Sequence, residues 1–136
     1  MSKAAQRGAF TTLRIVLSLA LCVGNASADG LDGTWSGLVT QANVDDSYTV
    51  EMELHGDAGS VDYPSLHCSG ALTLESATGG TYAYREHITS GADRCTDGGT
   101  IRMNRVKPSD ATRWYWVWEG SGITVRGIVK GSATPQ

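Results

Sequence analysis

Glu86 is the residue whose chemistry stands out first. In TYAYREHIT, residues 81–89, a strand phase places Tyr82, Tyr84, Glu86 and Ile88 on one face, because side chains alternate with period two. Three of these four want a core and one is a carboxylate, which must find a partner if it is buried. One reading is an internal pair that fixes register, either with an arginine or with tyrosine hydroxyls. Arg105, in phase with Ile101 and Met103, and Arg126 are the candidate cations. A second reading points Glu86 and Tyr84 into a barrel lumen to receive the polar group of a ligand. A third is a bulge that turns the carboxylate to solvent. The internal network is the expected outcome.

The stretch RWYWVWE carries the second candidate group. Trp114, Trp116 and Trp118 share one face, and Arg113, Tyr115, Val117 and Glu119 share the other. Indoles bury a large area and carry one donor each, so the row suits a core. Exposed instead, Trp114 and Trp118 would form a platform for sugar rings or a partner pocket. Core is the default.

Other chemistry finds little support. His55, His67 and His87 lie on three segments without short ligand spacing, so no metal site is expected. There is no GxSxG, no HExxH and no phosphate-cradling glycine loop, and no carboxylate pair is singled out by spacing. The expectation is a protein without catalytic residues, metal or cofactor.

The compartment is more legible. Lys3, Arg7 and Arg14 precede an apolar run, IVLSLALCV, and NASA then offers Ala26 and Ala28 as small residues at a cleavage site. Residues 1–28 therefore read as a secretory signal peptide, with an apolar core too short to span a bilayer. A lipoprotein signal acylated on Cys22 is the rival, and Leu21 before it argues against that. Residues 29–136 form one domain, with 131–136 expected as a frayed tail. Two of the three cysteines remain, Cys68 and Cys95. An even pair in an exported chain is expected to form a disulfide rather than stay as buried thiols. Whether the protein stays in the periplasm or leaves the cell, and its oligomeric state, are left open.

The whole chain is formally −3, and without the signal its eight cations face fourteen acids, about −6. Residues 29–84 hold nine acids and no lysine or arginine, whereas residues 85–136 hold eight cations and five acids. The expected meaning is acids solvating the first strands and pairing with later cations. No basic stripe reaches the density that nucleic acid requires.

These residues need strands to position them, and the pattern supplies about eight. GTWSGLVTQ, SYTVEMELH, VDYP (after the turn GDAGS), CSGALTLE, TYAYREHIT, GTIRMNRV, TRWYWVWE and ITVRGIVKG are separated by short polar turns. Pro64 should end its strand because it cannot donate to a ladder. Sequential short connections imply antiparallel neighbours, and seventeen glycines fit strong curvature. The fold class is all-β, a small antiparallel barrel or curved meander with one disulfide.

Two resemblances follow from these residues. GTW at Gly33–Trp35, with Arg126 in the last strand, resembles the lead of the calycins (lipocalins and avidins), which implies a barrel whose tryptophan packs beside a late basic residue. YPSLHCSG, then YREHITSGADRC, then GG, is similar to a pattern of small exported bacterial β domains. That likeness implies Tyr63, Pro64, Cys68, Gly70, Glu86, Gly91, Cys95 and Gly99 as framework positions and carries no activity.

The functional expectation is an exported, non-catalytic domain that binds a protein, glycan or cell-wall component, with an inhibitor or immunity protein as one version. Its loops DYPSLHCS and SGADRCTDGG are the expected contacts. The alternative is a small-molecule carrier with ligand in the lumen near Glu86, and an enzyme is the least favoured class.

Overall fold

The computed structural model describes residues 31–42 and 46–133. The expected signal peptide 1–28, with Cys22, and residues 134–136 lie outside them. Eight strands run β1 (Gly33–Gln41), β2 (Ser47–His55), β3 (Ala58–Tyr63), β4 (Cys68–Thr78), β5 (Thr81–Ser90), β6 (Thr100–Lys107), β7 (Asp110–Gly120) and β8 (Ile123–Ala133), with a 3-10 turn at Pro64–Leu66. Each strand pairs antiparallel with the next, and β8 returns to β1, so the sheet closes into a barrel.

Period-two alternation explains why these segments are strands. In β2, Val50, Met52 and Leu54 are buried while Glu51, Glu53 and His55 face water. In β7, Trp114, Trp116 and Trp118 are all buried, so the tryptophan row is core. Trp35 and Trp114 meet edge to face at 6.1 Å, and Tyr82 meets Trp114 at 5.6 Å. Leu31 seals the same end, its carbonyl accepting from Trp35 Nε1 at 2.7 Å.

Several details depart from expectation. Ala58, Gly59 and Ser60 read as turn residues, yet they pair with His55, Leu54 and Glu53, and only Gly56 and Asp57 turn. Small residues there serve close strand approach, which has the same composition as a turn. Gly131–Ala133 belong to β8 rather than to a loose tail, because Gly131 pairs with Trp35 and Ala133 with Gly33 at the closing seam. A Cβ on Gly131 would meet the Trp35 ring at 2.5 Å. Pro64 does end its strand, opening the 3-10 turn.

Of two cross-strand ion pairs among the described residues, only the first joins an acid of residues 29–84 to a later cation, as expected; the second lies wholly within residues 85–136. Arg85 pairs with Glu75 at 2.6 Å and Arg102 with Glu119 at 3.1 Å.

Candidate functional site

Three described connections gather at one end of the barrel, beside the end of β1 and the start of β2: the 3-10 turn with His67, the loop 91–99, and Ser121–Gly122. Cys68 at the start of β4 is bonded to Cys95 in that loop, 27 residues on. Such a bond belongs to an oxidising, exported compartment. Gly91 lies at φ +76 and packs so tightly that a Cβ would meet the His67 carbonyl oxygen at 2.4 Å. The Gly91 carbonyl accepts from Arg94 N and Cys95 N at 2.9 and 3.2 Å. Asp97 completes the loop by accepting from Ile88 N at 2.7 Å and Gly98 N at 2.8 Å. Those amides, Ile88 foremost, hold its carboxyl below the ordinary range.

Beneath this loop sits Glu86, only 2% exposed. Its Oε2 accepts from the Tyr63 hydroxyl at 2.5 Å and its Oε1 from Trp118 Nε1 at 3.0 Å. Tyr63 comes from β3 and Trp118 from β7, so the carboxyl ties together strands that are not neighbours. Burial pushes the Glu86 carboxyl above its ordinary range; the two hydrogen bonds oppose that rise and the nearby Asp97 charge adds to it. Burial also raises the Tyr63 and Tyr48 hydroxyls, and the Glu86 charge reinforces both shifts.

A cavity of about 100 Å³ adjoins this group. Tyr48, Tyr63, Glu86, Trp116 and Trp118 line it. Leu66, Ile123 and Val125 give it apolar wall, and Gln41, Arg94, Cys95 and Thr96 complete the lining. Trp116 is fully buried, and its Nε1 has no hydrogen-bond partner.

The sequence-derived site residues divide between the two ends. Glu86 and Trp118 come together. Tyr84 and Trp114 are buried further towards the other end, where the Trp114 indole donates to the Ala111 carbonyl. Arg105 keeps the phase of Ile101 and Met103, opposite Trp114, but it sits exposed at the far end of the barrel, away from Glu86, its guanidinium donating to the Pro108 carbonyl at 3.0 Å and lying 5.5 Å from the Trp114 ring centre. Arg126 is exposed on β8 opposite Thr40 and Val117, so it meets neither Glu86 nor Trp35. Of the readings for Glu86, the one with a tyrosine hydroxyl holds, joined by an indole instead of an arginine.

Two of the residues expected as framework, Tyr63 and Gly99, meet Glu86 directly. A Cβ on Gly99 would meet the Trp118 ring at 2.1 Å, and the Gly99 carbonyl accepts from Glu86 N at 2.9 Å. Gly70 faces inward in β4, where a Cβ would meet the His87 carbonyl oxygen at 2.4 Å. Sequence reasoning did not select Tyr48, Trp116 or Ile123 for the site, and Arg94 entered only as part of the loop SGADRCTDGG. Tyr48 and Trp116 were legible as inward residues, but nothing local shows that they share an end with Glu86.

The histidines stay apart: His55 bonds Glu53, His67 closes the 3-10 turn and His87 faces Asp97. Among the described residues no helix is long and apolar enough to cross a membrane. Fold and site together define a disulfide-stapled, closed eight-stranded barrel with a small polar pocket at one end. No family model, curated protein or solved structure matches the chain.

Proposed function

We propose that this chain is an exported, non-catalytic binding domain that engages a cell-envelope component, protein or glycan, with the disulfide-bonded end of its barrel. The observation that carries this reading is the Glu86 carboxyl, held by Tyr63 and Trp118 beside a cavity under the tethered loop 91–99. A site that encloses a drug-sized ligand needs roughly 300–1,000 Å³. About 100 Å³ instead suits one polar group presented by something larger. Trp35, Tyr84, Trp114 and Trp116 fill the remaining interior, which favours this reading over a carrier. Two acids at this end are already engaged: both Glu86 oxygens accept hydrogen bonds, and Asp97 organises the loop. That arrangement supports binding without chemistry. The basic and apolar segment ending at Ala28 supports export through a signal peptide.

The test is affinity capture. Oxidised protein is immobilised, exposed to cell-envelope extract, and the retained material is identified by mass spectrometry and sugar analysis. Arg94→Glu, at the pocket's exposed side, should abolish retention, and Arg105→Glu, at the far end, should leave it intact. Equal retention by both variants would refute the assignment of the binding end.

A further inference from the structure

We infer that two copies of this chain associate through the outer face of β1, about a two-fold axis that runs parallel to that strand. The surface lies on the barrel wall, apart from the pocketed end, and the inference does not rest on the binding reading. Strand register sets out a row across five strands at the level of Ser36. Asp62 on β3 lies opposite Glu51 on β2, and Glu51 lies opposite Ser36 on β1. On the other side, Ser36 lies opposite Lys130 on β8, and Lys130 opposite Arg113 on β7. Each of the five neighbours a buried residue in its own strand, so all five belong to the outer face. The order of charge is two acids, a serine and two cations, at steps of about 4.8 Å between strands. Among the described residues, none of these four charged side chains forms an ion pair. The next row, two residues along β1, is apolar: Leu38 lies opposite Ile128, and Ile128 opposite Tyr115. Leu38 and Tyr115, 62% and 47% exposed, are the exposed large apolar side chains among the described residues, and both fall in this one row.

Such a surface is complementary to itself. A two-fold axis along β1 exchanges left and right at a constant level, so β8 of one copy lies against β2 of the other, and β7 against β3. Lys130 then meets the partner's Glu51 and Arg113 the partner's Asp62, and each contact occurs twice. Leu38, on the axis, packs against its own copy, and Ile128 lies over the partner's Thr49, which is opposite Leu38 in register. An axis at right angles to β1 would set cations on cations and acids on acids, so charge selects the parallel one. The same row disfavours other occupants. A bilayer of anionic lipid would attract the β7–β8 half and repel Glu51 and Asp62, and a partner of uniform charge meets the same conflict. Contact centred on one strand of a barrel falls at the small end of specific interfaces, below about 1,200 Å². The dimer is therefore expected to exchange rapidly and to weaken with salt, because its ion pairs lie at the surface.

The test is sedimentation velocity of the oxidised protein over a concentration series. Wild type should pass from monomer to dimer, with a dissociation constant at least tenfold higher in about 0.5 M salt than in dilute buffer. Lys130→Glu and Glu51→Lys, both at exposed positions, should each remain monomeric where wild type is half dimer, with circular dichroism unchanged. An equimolar mixture of these two variants should dimerise, because in the mixed pair both contacts again join opposite charges. The double variant should recover the dimer for the same reason. Leu38→Ser should weaken association while its salt dependence remains. A wild type that stays monomeric throughout would overturn the inference, as would a mixture no more associated than either variant alone. Retention of a monomeric wild type on phosphatidylglycerol vesicles would overturn it as well and assign the face to lipid.

Discussion

Glu86 shows how a carboxyl can be kept in a core without a cation. Two neutral donors occupy its oxygens, and burial shifts it towards the protonated form. Its phase was legible from TYAYREHIT, but its partners were not. Tyr63 and Trp118 reach it across the lumen from β3 and β7, a contact made by closure of the barrel and not by neighbouring strands. Of the two expected kinds of partner, an arginine or tyrosine hydroxyls, the second is the one found, and a raised carboxyl does not require the first. A folded pKa above the unfolded value near 4.5 means the native state holds the proton longer. The resulting stabilisation is complete below about pH 4.5 and is lost as pH rises through the folded value. Urea unfolding of wild type and Glu86→Gln should therefore show the wild type losing ground to the variant between acid and neutral pH. A constant difference would contradict the buried, shifted carboxyl. Tyr63→Phe removes the donor to Oε2 and should cost about 1.5–3 kcal/mol by the same assay. It should also raise the Glu86 carboxyl further, readable from its ¹³C titration.

Among the elements, β5 and the loop after it do most to build the site. β5 places Glu86, and the loop returns Gly99 to its backbone amide and lays that glycine against Trp118. Strand phase and turn composition were enough to locate all eight strands. They failed where composition is ambiguous, at Ala58–Ser60, and they do not show which end of the barrel a residue reaches: Arg105 keeps its phase opposite Trp114 yet lies at the end away from Glu86. Both are set by pairing with the next strand, which leaves no mark on a strand's own pattern. Gly99→Ala should push the Trp118 indole off the carboxyl, because its Cβ has no space beside that ring. A cost of about 1–3 kcal/mol is expected, with a displaced Trp118 indole N–H resonance. An unchanged resonance would mean that Gly99 is not what seats the ring.

At the scale of the whole molecule, closure of β8 on β1 removes the sheet edges, and the Cys68–Cys95 bond ties the loop 91–99 to β4. Cross-linking a loop of roughly 28 residues stabilises the fold by about 3.5 kcal/mol on the chain-entropy model. Urea unfolding with and without reductant should show a loss of that order; an unchanged midpoint would mean that the barrel stands without its staple. The even cysteine pair announced this bond, whereas the division of the barrel into a tryptophan-sealed end and a pocketed end could not be read from any one segment. It depends on which connections fall together after closure. Binding is proposed for the pocketed end, and amide hydrogen exchange with and without the captured envelope component is the decisive measurement. Protection should appear at Ser65–His67, in the loop 91–99 and at Ser121–Ile123, and be absent from the opposite turns at Gly56–Asp57, Gly79–Gly80 and Ser109. Protection confined to those opposite turns, or to the outer strand faces, would contradict it.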